Sequence, residues 1–369
     1  MSGARQPVPR RVFIIGSDRF DSVGDSYRRT LTEHYDVGLF NPEELIPSRY
    51  NPWGKQRPTR MTAALDLFSR VVLGDPLALN ARKLRRAVAR FEPDVVLTTT
   101  MESLNPELIA GIRADNPKAR LIGVFSDAIV NFARGYFFIA DYDALFFKDH
   151  YIVDKLRAKL GWKHAFYLPQ ACDPAIHHSV TLSPEDYARY GCDLTLAGNV
   201  HCFRAAQLAP LVGRDLRIWG DAVPRWLVHP IRSKCVPVYV AGEDKCRAML
   251  ASKIVLNANH YAEIAGTNKR TFEVAAIGAF QLTDTPALAD VFLPDVEVAA
   301  FDTQADMLEK IEYYLARPEL RAEMANKAQA RAHREHTYAH RWAAKMQAVG
   351  CGLPDSFPFA PFELAVHAK

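Results

Sequence analysis

The chain has 369 residues, which is the length expected of two domains of ordinary size. Hydrophobic residues make up 49% and charged residues 24% of the sequence, a composition that excludes a disordered or low-complexity chain. No apolar run approaches the roughly 18 residues of a membrane span, and the amino terminus lacks the apolar core of a signal peptide. None of the six cysteines forms a C-x-x-C pair. We therefore expect a cytoplasmic protein with reduced thiols.

The apolar runs of the first half alternate with segments of helical periodicity. The runs predict strands at 11–15, 36–40, 94–99, 120–125, 143–148 and 164–169, and the segments between them predict helices at 27–35, 61–72, 77–91, 105–114 and 149–160. Residues 41–60 carry four prolines and predict a long loop. Strands that alternate with helices form a parallel sheet with helices on both faces.

Residues 170–191 predict an interdomain linker, after which the same alternation begins again. Strands are expected at 193–198, 215–220, 253–259, 279–284 and 296–301, and helices near 202–212, 242–251, 268–277, 303–316, 318–333 and 337–349, with an irregular stretch at 221–241. The fold class is therefore α/β, with two doubly wound units in tandem. We predict domains over 1–175 and 190–345 and a tail over 346–369. Ligands of such sheets bind beyond the carboxyl ends of the strands.

Positive charge is concentrated in residues 49–90, which hold ten basic and two acidic residues in a chain whose net charge is +4. The basic residues are Arg49, Lys55, Arg57, Arg60, Arg70, Arg82, Lys83, Arg85, Arg86 and Arg90. This stretch either contacts an anionic membrane surface or a lipid-diphosphate ligand, or forms a solvated pair of basic helices. No nucleic-acid-binding motif accompanies it, so no nucleic acid is expected as a partner.

The most informative segment, 253–284, predicts a strand, a loop, a helix that ends at a glycine, and a second strand. Its loop ends in Gly266-Thr267-Asn268, where Thr267 or Asn268 can cap the helix and leave an anion site at the helix start. Arg270 in the first turn can bind phosphate oxygens, and Glu273 can accept hydrogen bonds from a sugar diol. The alternative is a surface helix that carries an Arg–Glu pair.

The same segment resembles the glycosyltransferases that include the CgeB-like proteins, whose carboxyl-terminal half carries Asn-x-Arg-x-Phe-Glu before a Gly-Ala/Cys-Phe strand. Here the residues are Asn268-Lys269-Arg270-Thr271-Phe272-Glu273, followed by Gly278-Ala279-Phe280. Further similar pieces are Leu168-Pro169, Asp173-Pro174, Ala197-Gly198-Asn199 with Arg204, Ser252-Lys253-Ile254, Leu256-Asn257, Glu297-Val298, Tyr313-Tyr314-Leu315 and His336-Thr337-Tyr338 before Arg341. The resemblance covers roughly 140–345.

The resemblance implies the GT-B fold, in which two Rossmann-like domains face one another across a cleft. Residues 1–175 would then form the acceptor domain and 190–345 the donor domain, with the tail 346–369 packing back toward the first. The implied activity is metal-independent transfer of a hexose from a nucleotide-diphosphate-sugar to a glycan, lipid-linked or other cell-envelope acceptor. No cofactor is expected. The basic stretch 49–90 would then place the enzyme at the inner face of the membrane.

The family motif also implies roles for individual residues. Glu273 would hold the ribose and Arg270 the diphosphate, with Gly266, Thr267 and Asn268 near the phosphate and sugar. Gly198, Asn199 and Arg204 would form the first loop of the donor domain, where a glycine lets the backbone approach the phosphates. His260 ends a strand beside this loop and is a further candidate for donor contact.

One departure from related enzymes leaves the stereochemistry open. Many retaining GT-B enzymes carry two glutamates eight residues apart, whereas the position eight before Glu273 is Ala265. An inverting enzyme needs a general base. Asp127 and Asp18 follow predicted strands and are the catalytic candidates, although aspartate at a strand end is also a common cap or turn residue. Asp21, Asp25 and His150 are further options.

Two other functions remain open at this stage, an isomerase of the nucleotide-sugar 2-epimerase type and a non-catalytic sugar-binding protein. The epimerase needs several acid/base groups and no acceptor surface, and the non-catalytic hypothesis rests on the missing carboxylate at Ala265. His333, His336 and His340 share one predicted helical face and could hold a metal, but they lack a carboxylate or cysteine partner, so we predict a structural role and no metal site. The donor base, sugar, acceptor and oligomeric state are not predicted.

Overall fold

The fold is described from a computed structural model, over residues 6–42, 60–74, 77–100, 104–128, 132, 135–221, 223–224 and 226–358. The chain divides into two compact units. The first comprises Met1–Leu168 together with Tyr338–Lys369, and the second comprises Pro169–Thr337. Most of the predicted loop 41–60 lies outside the described residues. The segment predicted as a linker, 170–191, belongs to the second unit.

The first unit begins with six parallel strands and five helices. In chain order they are β1 (Arg11–Ile15), α1 (Val23–Thr32), β2 (Asp36–Phe40), α2 (Arg60–Val71), α3 (Ala78–Phe91), β3 (Val95–Thr98), α4 (Pro106–Asp115), β4 (Arg120–Phe125), β5 (Ala144–Phe147), α5 (His150–Leu160) and β6 (Ala165–Tyr167). The strand order is β2-β1-β3-β4-β5-β6. Helices α3, α4 and α5 cover one face of this sheet with residues such as Leu84, Ile112 and Val153.

The second unit contains a second parallel sheet of six strands. Its elements are α6 (Pro184–Tyr190), β7 (Cys192–Ala197), α7 (Cys202–Gln207), β8 (Leu216–Trp219), β9 (Cys235–Val236), α8 (Glu243–Leu250), β10 (Ser252–Asn257), α9 (Lys269–Ile277), β11 (Gln281–Thr283), β12 (Ala299–Ala300), α10 (Gln304–Leu315) and α11 (Pro318–Glu335). The strand order is β12-β11-β10-β7-β8-β9. The predictions missed α6 and β9, which lie in the stretches expected to be a linker and irregular.

The last helix, α12 (Tyr338–Ala348), returns to the first unit. It packs on α1, where Trp342 is fully buried and its Nε1 donates to the hydroxyl of Tyr35 at 2.9 Å. Beyond it, the amide of Gly352 donates to the carbonyl of Pro7 at 3.0 Å. This helix is therefore part of the first core. No helix in the described part of the chain is both long and apolar enough to span a bilayer.

Candidate functional site

The carboxyl ends of β7, β10 and β11 meet at one edge of the second sheet, since all its strands are parallel and β10 lies between β7 and β11. The segments that follow β7 and β10, each a loop and the helix it leads into, carry every residue predicted to bind the donor: Gly198, Asn199, Arg204, His260, Gly266, Thr267, Asn268, Arg270 and Glu273. Distant parts of the sequence are thus gathered at the edge where ligands of such sheets bind.

Gly198, directly after β7, lies against the guanidinium of Arg270. Its φ is +146°, and a Cβ at this position would overlap Arg270 Nη2 and approach Arg270 Cζ to 3.3 Å. At a second glycine, Gly220 after β8, an added Cβ would lie only 2.9 Å from the carbonyl oxygen of Gly198. The backbone here is close-fitting, and the guanidinium of Arg270 occupies the space that a side chain at 198 would need.

Arg204 and Arg270 place two cations at this edge. Arg204 is buried, and its Nε and Nη2 donate to the carbonyl of Ala258 at 3.2 and 2.7 Å while Nη1 donates to the carbonyl of Asn199. Arg270 Nη1 donates to Asn257 Oδ1 at 3.3 Å.

Burial lowers the pKa of both guanidinium groups. The charge of Arg270 adds to this effect at Arg204, whose pKa falls to about 9. Glu273 and Asp284 oppose the shifts only from a distance, because neither arginine forms a salt bridge with a carboxylate in the described residues. Both side chains remain charged at neutral pH, and their bonding partners are neutral oxygens. The site can therefore attract an anion.

A buried polar network fixes the start of α9. Asn268 is the N-cap, and its Oδ1 accepts from the amide of Thr271 at 3.0 Å. Asn257, at the end of β10, is fully buried. Its Nδ2 donates to Gln281 Oε1 at 2.9 Å, and its Oδ1 accepts from Asn268 Nδ2 at 2.8 Å. The network ties two strands to the helix start, so the loop at 266–268 is held in one conformation.

The network continues through residues that the sequence analysis did not single out. Asn259 Nδ2 donates to Asp284 Oδ1 at 2.8 Å and to Thr285 Oγ1 at 2.9 Å, and Asp284 Oδ2 accepts from Gln207 Nε2 at 2.6 Å. The signal that could have revealed them is the polar run at the ends of two apolar strands, NAN at 257–259 and TDT at 283–285.

Thr267 lies directly before the cap residue. It is fully buried, and its hydroxyl has no hydrogen-bond partner among the described residues. Its neighbour Gly266 accepts a hydrogen bond from the amide of Ala287 at 3.4 Å through its carbonyl oxygen. A buried hydroxyl without a partner costs about 1–3 kcal/mol, which a ligand oxygen would offset.

Glu273 is buried and contacted by three nitrogen groups. Its Oε1 lies 3.2 Å from Lys245 Nζ, 3.3 Å from Lys269 Nζ and 3.5 Å from His177 Nε2. The nearby Lys245 and His177 are themselves buried. The alternative of a surface helix is wrong, because residues 271–277 of α9 are all buried, and the expected Arg–Glu pair is replaced by these contacts. The sequence analysis did not identify Lys245, Lys269 or His177 as site residues.

Asn199 and His260 occupy the rim of the same edge. The side chain of Asn199 exchanges two hydrogen bonds with Asp221, at 3.1 and 3.2 Å, and so links the loops after β7 and β8. His260 Nδ1 accepts from the amide of Ala262 at 3.2 Å, and its ring contacts those of His201 and Tyr261.

The base candidates lie in the first unit, where Asp18 and Asp127 follow β1 and β4. Both are exposed. Asp18 Oδ1 accepts from Asn41 Nδ2 at 3.0 Å, and Asp127 Oδ1 accepts from the amide of Ala128 at 2.9 Å. Asp25 is different, because it is buried and paired with Arg28 and Arg29 within α1. These two arginines contact both of its carboxylate oxygens.

The three histidines predicted to share one helical face do not all belong to the same helix. His333 Nε2 lies 2.9 Å from the carbonyl oxygen of Ala276, and His336 Nε2 lies 2.7 Å from that of Val291. His340 belongs to α12 in the other unit. These contacts attach the carboxyl-terminal end of α11 to its own unit, as a structural role requires.

The chain is similar in sequence to known proteins. Residues 199–347 match the family described as glycosyl transferase-like. The spore protein CgeB of Bacillus subtilis (strain 168) is 26% identical over 184 residues, which is 45% of this chain and 56% of that protein. The chain thus aligns with just over half the length of this curated relative.

Solved structures show the fold. Sucrose-phosphate synthase from Thermosynechococcus elongatus superimposes with a TM-score of 0.61 at 10% identity, covering 92% of this chain and 96% of that one. HepE from Anabaena, in complex with UDP-glucose, gives 0.60 at 11% identity, covering 92% and 99%. AviGT4, a glycosyltransferase of avilamycin A biosynthesis, gives 0.54 at 18% identity, covering 93% and 99%. The predicted resemblance to CgeB and the GT-B fold are confirmed.

Proposed function

We propose that the protein transfers a hexose from a nucleoside-diphosphate-sugar to a glycan, lipid-linked or other cell-envelope acceptor, in the cytoplasm and without a metal. The observation that carries this proposal is the pair Arg204 and Arg270, two cations whose partners are all neutral oxygens. A diphosphate is the anion that fits two guanidinium groups beside a glycine and a capped helix start. The structural neighbour HepE was solved with UDP and with UDP-glucose, which supports a uridine nucleotide as the first donor to test.

In this proposal the two arginines stabilise the leaving diphosphate. As the bond between the sugar and the diphosphate breaks, negative charge accumulates on the leaving phosphate oxygens. The guanidinium of Arg270, half-buried against Gly198, binds that charge. The buried Arg204 donates to the carbonyls of Asn199 and Ala258, and its positive charge also favours the leaving diphosphate. Gly266, Thr267 and Asn268 contribute backbone and hydroxyl groups. Because both cations are fixed before the donor arrives, little reorganisation is needed during reaction.

Glu273 is proposed to accept hydrogen bonds from the ribose hydroxyls of the donor. Lys245, Lys269 and His177 hold one of its carboxylate oxygens within 3.2–3.5 Å, and so fix the direction of the other. His260 is proposed to contact the donor from the rim. The acceptor hydroxyl needs a base, for which Asp127 or Asp18 of the first unit is proposed, since both are exposed after parallel strands.

Release of nucleoside diphosphate tests the function directly. We expect one of UDP-glucose, GDP-mannose and CDP-glucose to be turned over faster in the presence of a glycan acceptor, and we expect EDTA to leave the rate unchanged. The physical reason is that two fixed guanidinium groups neutralise the leaving diphosphate. The measurement is coupled detection of the released nucleotide with and without EDTA.

The outcomes of this experiment separate the candidate functions. Interconversion of the sugar without nucleotide release would indicate the epimerase, and binding without either reaction would indicate a non-catalytic protein. Complete loss of activity in EDTA, restored by Mg²⁺ or Mn²⁺, would contradict the metal-independent mechanism.

We also propose that helices α2 and α3 contact an anionic membrane surface. Arg82, Lys83, Arg86 and Arg90 of α3 are exposed while Leu84 and Val88 are buried, so the basic residues form one outer face. Helix α2 exposes large apolar side chains, namely Met61, Leu67, Phe68 and Val71. Exposed apolar and basic side chains in two consecutive helices are the combination that binds lipid headgroups. Arg49, Lys55 and Arg57 lie outside the described residues.

Arg85 is excluded from this basic face by the structure. Its Nε and Nη2 donate to both carboxylate oxygens of Asp115 on α4, at 2.5 and 2.8 Å. Hydrogen bonding to that carboxylate raises the pKa of Arg85, and Arg85 lowers the pKa of Asp115. Arg85 is therefore a link between α3 and α4, and substitutions that test membrane contact should leave it unchanged.

Reversal of Arg82, Lys83 and Arg86 to glutamate is expected to reduce binding to vesicles that contain phosphatidylglycerol by 10-fold or more at low salt, because each basic residue near such a surface contributes about 1 kcal/mol. The loss should shrink as salt rises, since surface charge is screened over about 8 Å at physiological ionic strength. Vesicle co-sedimentation measures it. The matched control reverses Lys155, Lys159 and Lys163, exposed lysines in and just after α5. Equal losses in both triple variants would refute a specific basic face.

A further inference from the structure

Four rings meet at the rim of the edge that holds the two arginines. His201 and Phe203 lie at the start of α7, and His260 and Tyr261 follow β10. The ring centroids of His201 and His260 are 4.6 Å apart, those of His260 and Tyr261 are 4.2 Å apart, and those of Phe203 and Tyr261 are 5.8 Å apart. Two loops that are nearly 60 residues apart in sequence thus build one aromatic surface, which we call the ring platform.

The ring platform leaves its large aromatic faces open. Tyr261 is 63% exposed and Phe203 is 44% exposed, although both residue types are costly to leave in water. The platform adjoins the arginine pair, because Phe203 directly precedes Arg204 and the amide of Arg204 donates to the ring of His201 at 3.4 Å. A ligand held by the arginines would therefore extend toward these rings.

Both imidazoles of the ring platform present an N–H group. Nδ1 of His201 accepts from the amide of Arg204, and Nδ1 of His260 accepts from the amide of Ala262, so each ring carries its proton on Nε2. Burial, with the charges of Arg204 and His260, lowers the pKa of His201 to about 4, which keeps that ring neutral. Nε2 of His201 is covered and has no hydrogen-bond acceptor among the described residues.

We propose that the ring platform is a subsite for a pyranose ring, with Phe203 and Tyr261 stacking on the sugar and His260 donating to its hydroxyls. The C–H face of a pyranose is apolar and slightly positive, and it packs on the negative face of an aromatic ring. An imidazole N–H group suits a hydroxyl oxygen, whereas the charged arginines suit the diphosphate. This inference rests on the proposed glycosyltransferase function, and the sugar can be that of the donor or of a glycan acceptor.

The test compares ligands with and without a sugar. UDP, UDP-glucose and maltose are titrated against the parent protein and against Tyr261→Ala and Phe203→Ala, with calorimetry for the nucleotides and ligand-observed NMR for maltose. Tyr261→Phe keeps the ring, and Tyr187→Ala removes another exposed tyrosine from α6, outside the ring platform. The expected result is a loss of 5-fold or more in affinity for UDP-glucose with unchanged affinity for UDP, retained by the Tyr261→Phe variant.

The other outcomes are equally informative. A loss confined to maltose assigns the ring platform to the acceptor sugar and also supports the proposal. Equal losses for UDP and UDP-glucose would overturn it, because the rings would then contact the nucleotide. Unchanged binding of all three ligands would overturn it as well. A parent protein that binds maltose on these rings but neither nucleotide would refute the donor proposal and leave the sugar subsite standing.

Discussion

Gly198→Ala is expected to weaken binding of the preferred nucleoside diphosphate by roughly 30- to 100-fold while the second unit remains folded. The methyl group would occupy the position of Arg270 Nη2 and come within 3.3 Å of Arg270 Cζ, so the guanidinium must move away from the edge. A charge-assisted hydrogen bond of this kind contributes about 1.5–3 kcal/mol. The φ of +146° adds strain to any residue with a side chain. Calorimetric titration with UDP, GDP and CDP measures the effect.

A matched glycine provides the control. Gly213 lies in the same unit, and a Cβ there would meet open space. Gly213→Ala is therefore expected to leave nucleotide affinity unchanged. A double-mutant cycle with Arg270→Ala identifies the mechanism, because the loss caused by Gly198→Ala should largely disappear once the guanidinium is absent. Additive losses in the cycle would show that position 198 acts on the nucleotide without Arg270.

The regular part of the fold is predictable from sequence because its signals are local. RVFII at 11–15 and RLIGVF at 120–125 are apolar runs that only a strand buried on both faces explains, and the structure places β1 and β4 there. The start and end of α9 are equally local, since Asn268 caps it and Gly278 ends it with a φ of +82°. These elements bring Gly198, Arg204 and Arg270 to one edge by topology alone.

It is harder to predict which sheet an element packs on than whether it is a helix or a strand. The periodicity of 337–349 predicts a helix, and α12 is found there, but periodicity cannot tell which sheet the helix covers. The structure shows that Trp342 of α12 packs beside Tyr27 and Tyr35 of the first unit. Arg85 is a similar case. It resembles the other basic residues of α3 in sequence, and only the approach of α4 reveals its pairing with Asp115.

The polar interior of the candidate site depends on contacts between distant residues. Asn257 ends an apolar strand, and its partners Asn268 and Gln281 lie 11 and 24 residues away on a loop and another strand. The contacts of Glu273 are also only partly predictable from the sequence. Lys269 is one turn before it in α9 and could be foreseen, whereas Lys245 and His177 reach it only because of how α8 and the start of the unit pack.

Lys345 is a buried amine at the interface of α12 with the first sheet. It is 1% exposed, its Nζ donates to the hydroxyl of Tyr27, and it lies 4.8 and 5.1 Å from the rings of Tyr27 and Phe146. No carboxylate forms a salt bridge with it in the described residues. Burial lowers the pKa of Lys345 well below its ordinary value of 10.5, and the charge of Arg341 adds to this shift. The folded state therefore holds this proton more weakly than the unfolded state does.

Stability should consequently rise with pH. Between the lowered pKa of folded Lys345 and 10.5, unfolding takes up a proton, so the free energy of unfolding increases by up to about 1.4 kcal/mol per pH unit. Lys345→Met keeps the length and apolar stem but cannot titrate. The stability advantage of this variant over the parent is expected to shrink progressively as the pH rises from the lowered pKa of folded Lys345 toward 10.5. Urea unfolding at several pH values measures the difference.

An exposed lysine tests whether the pH dependence of the unfolding free energy arises from Lys345. Lys159→Met on α5 removes a solvated amine from the same unit, and its unfolding free energy should follow the pH dependence of the parent. Subtracting each variant from the parent also cancels the contribution of groups that titrate alike in all three proteins. Parallel curves for the parent and Lys345→Met would mean that Lys345 keeps its ordinary pKa when folded. In that case the amine would be charged in the core, and the hydroxyl of Tyr27 with the two aromatic faces would have to stabilise that charge.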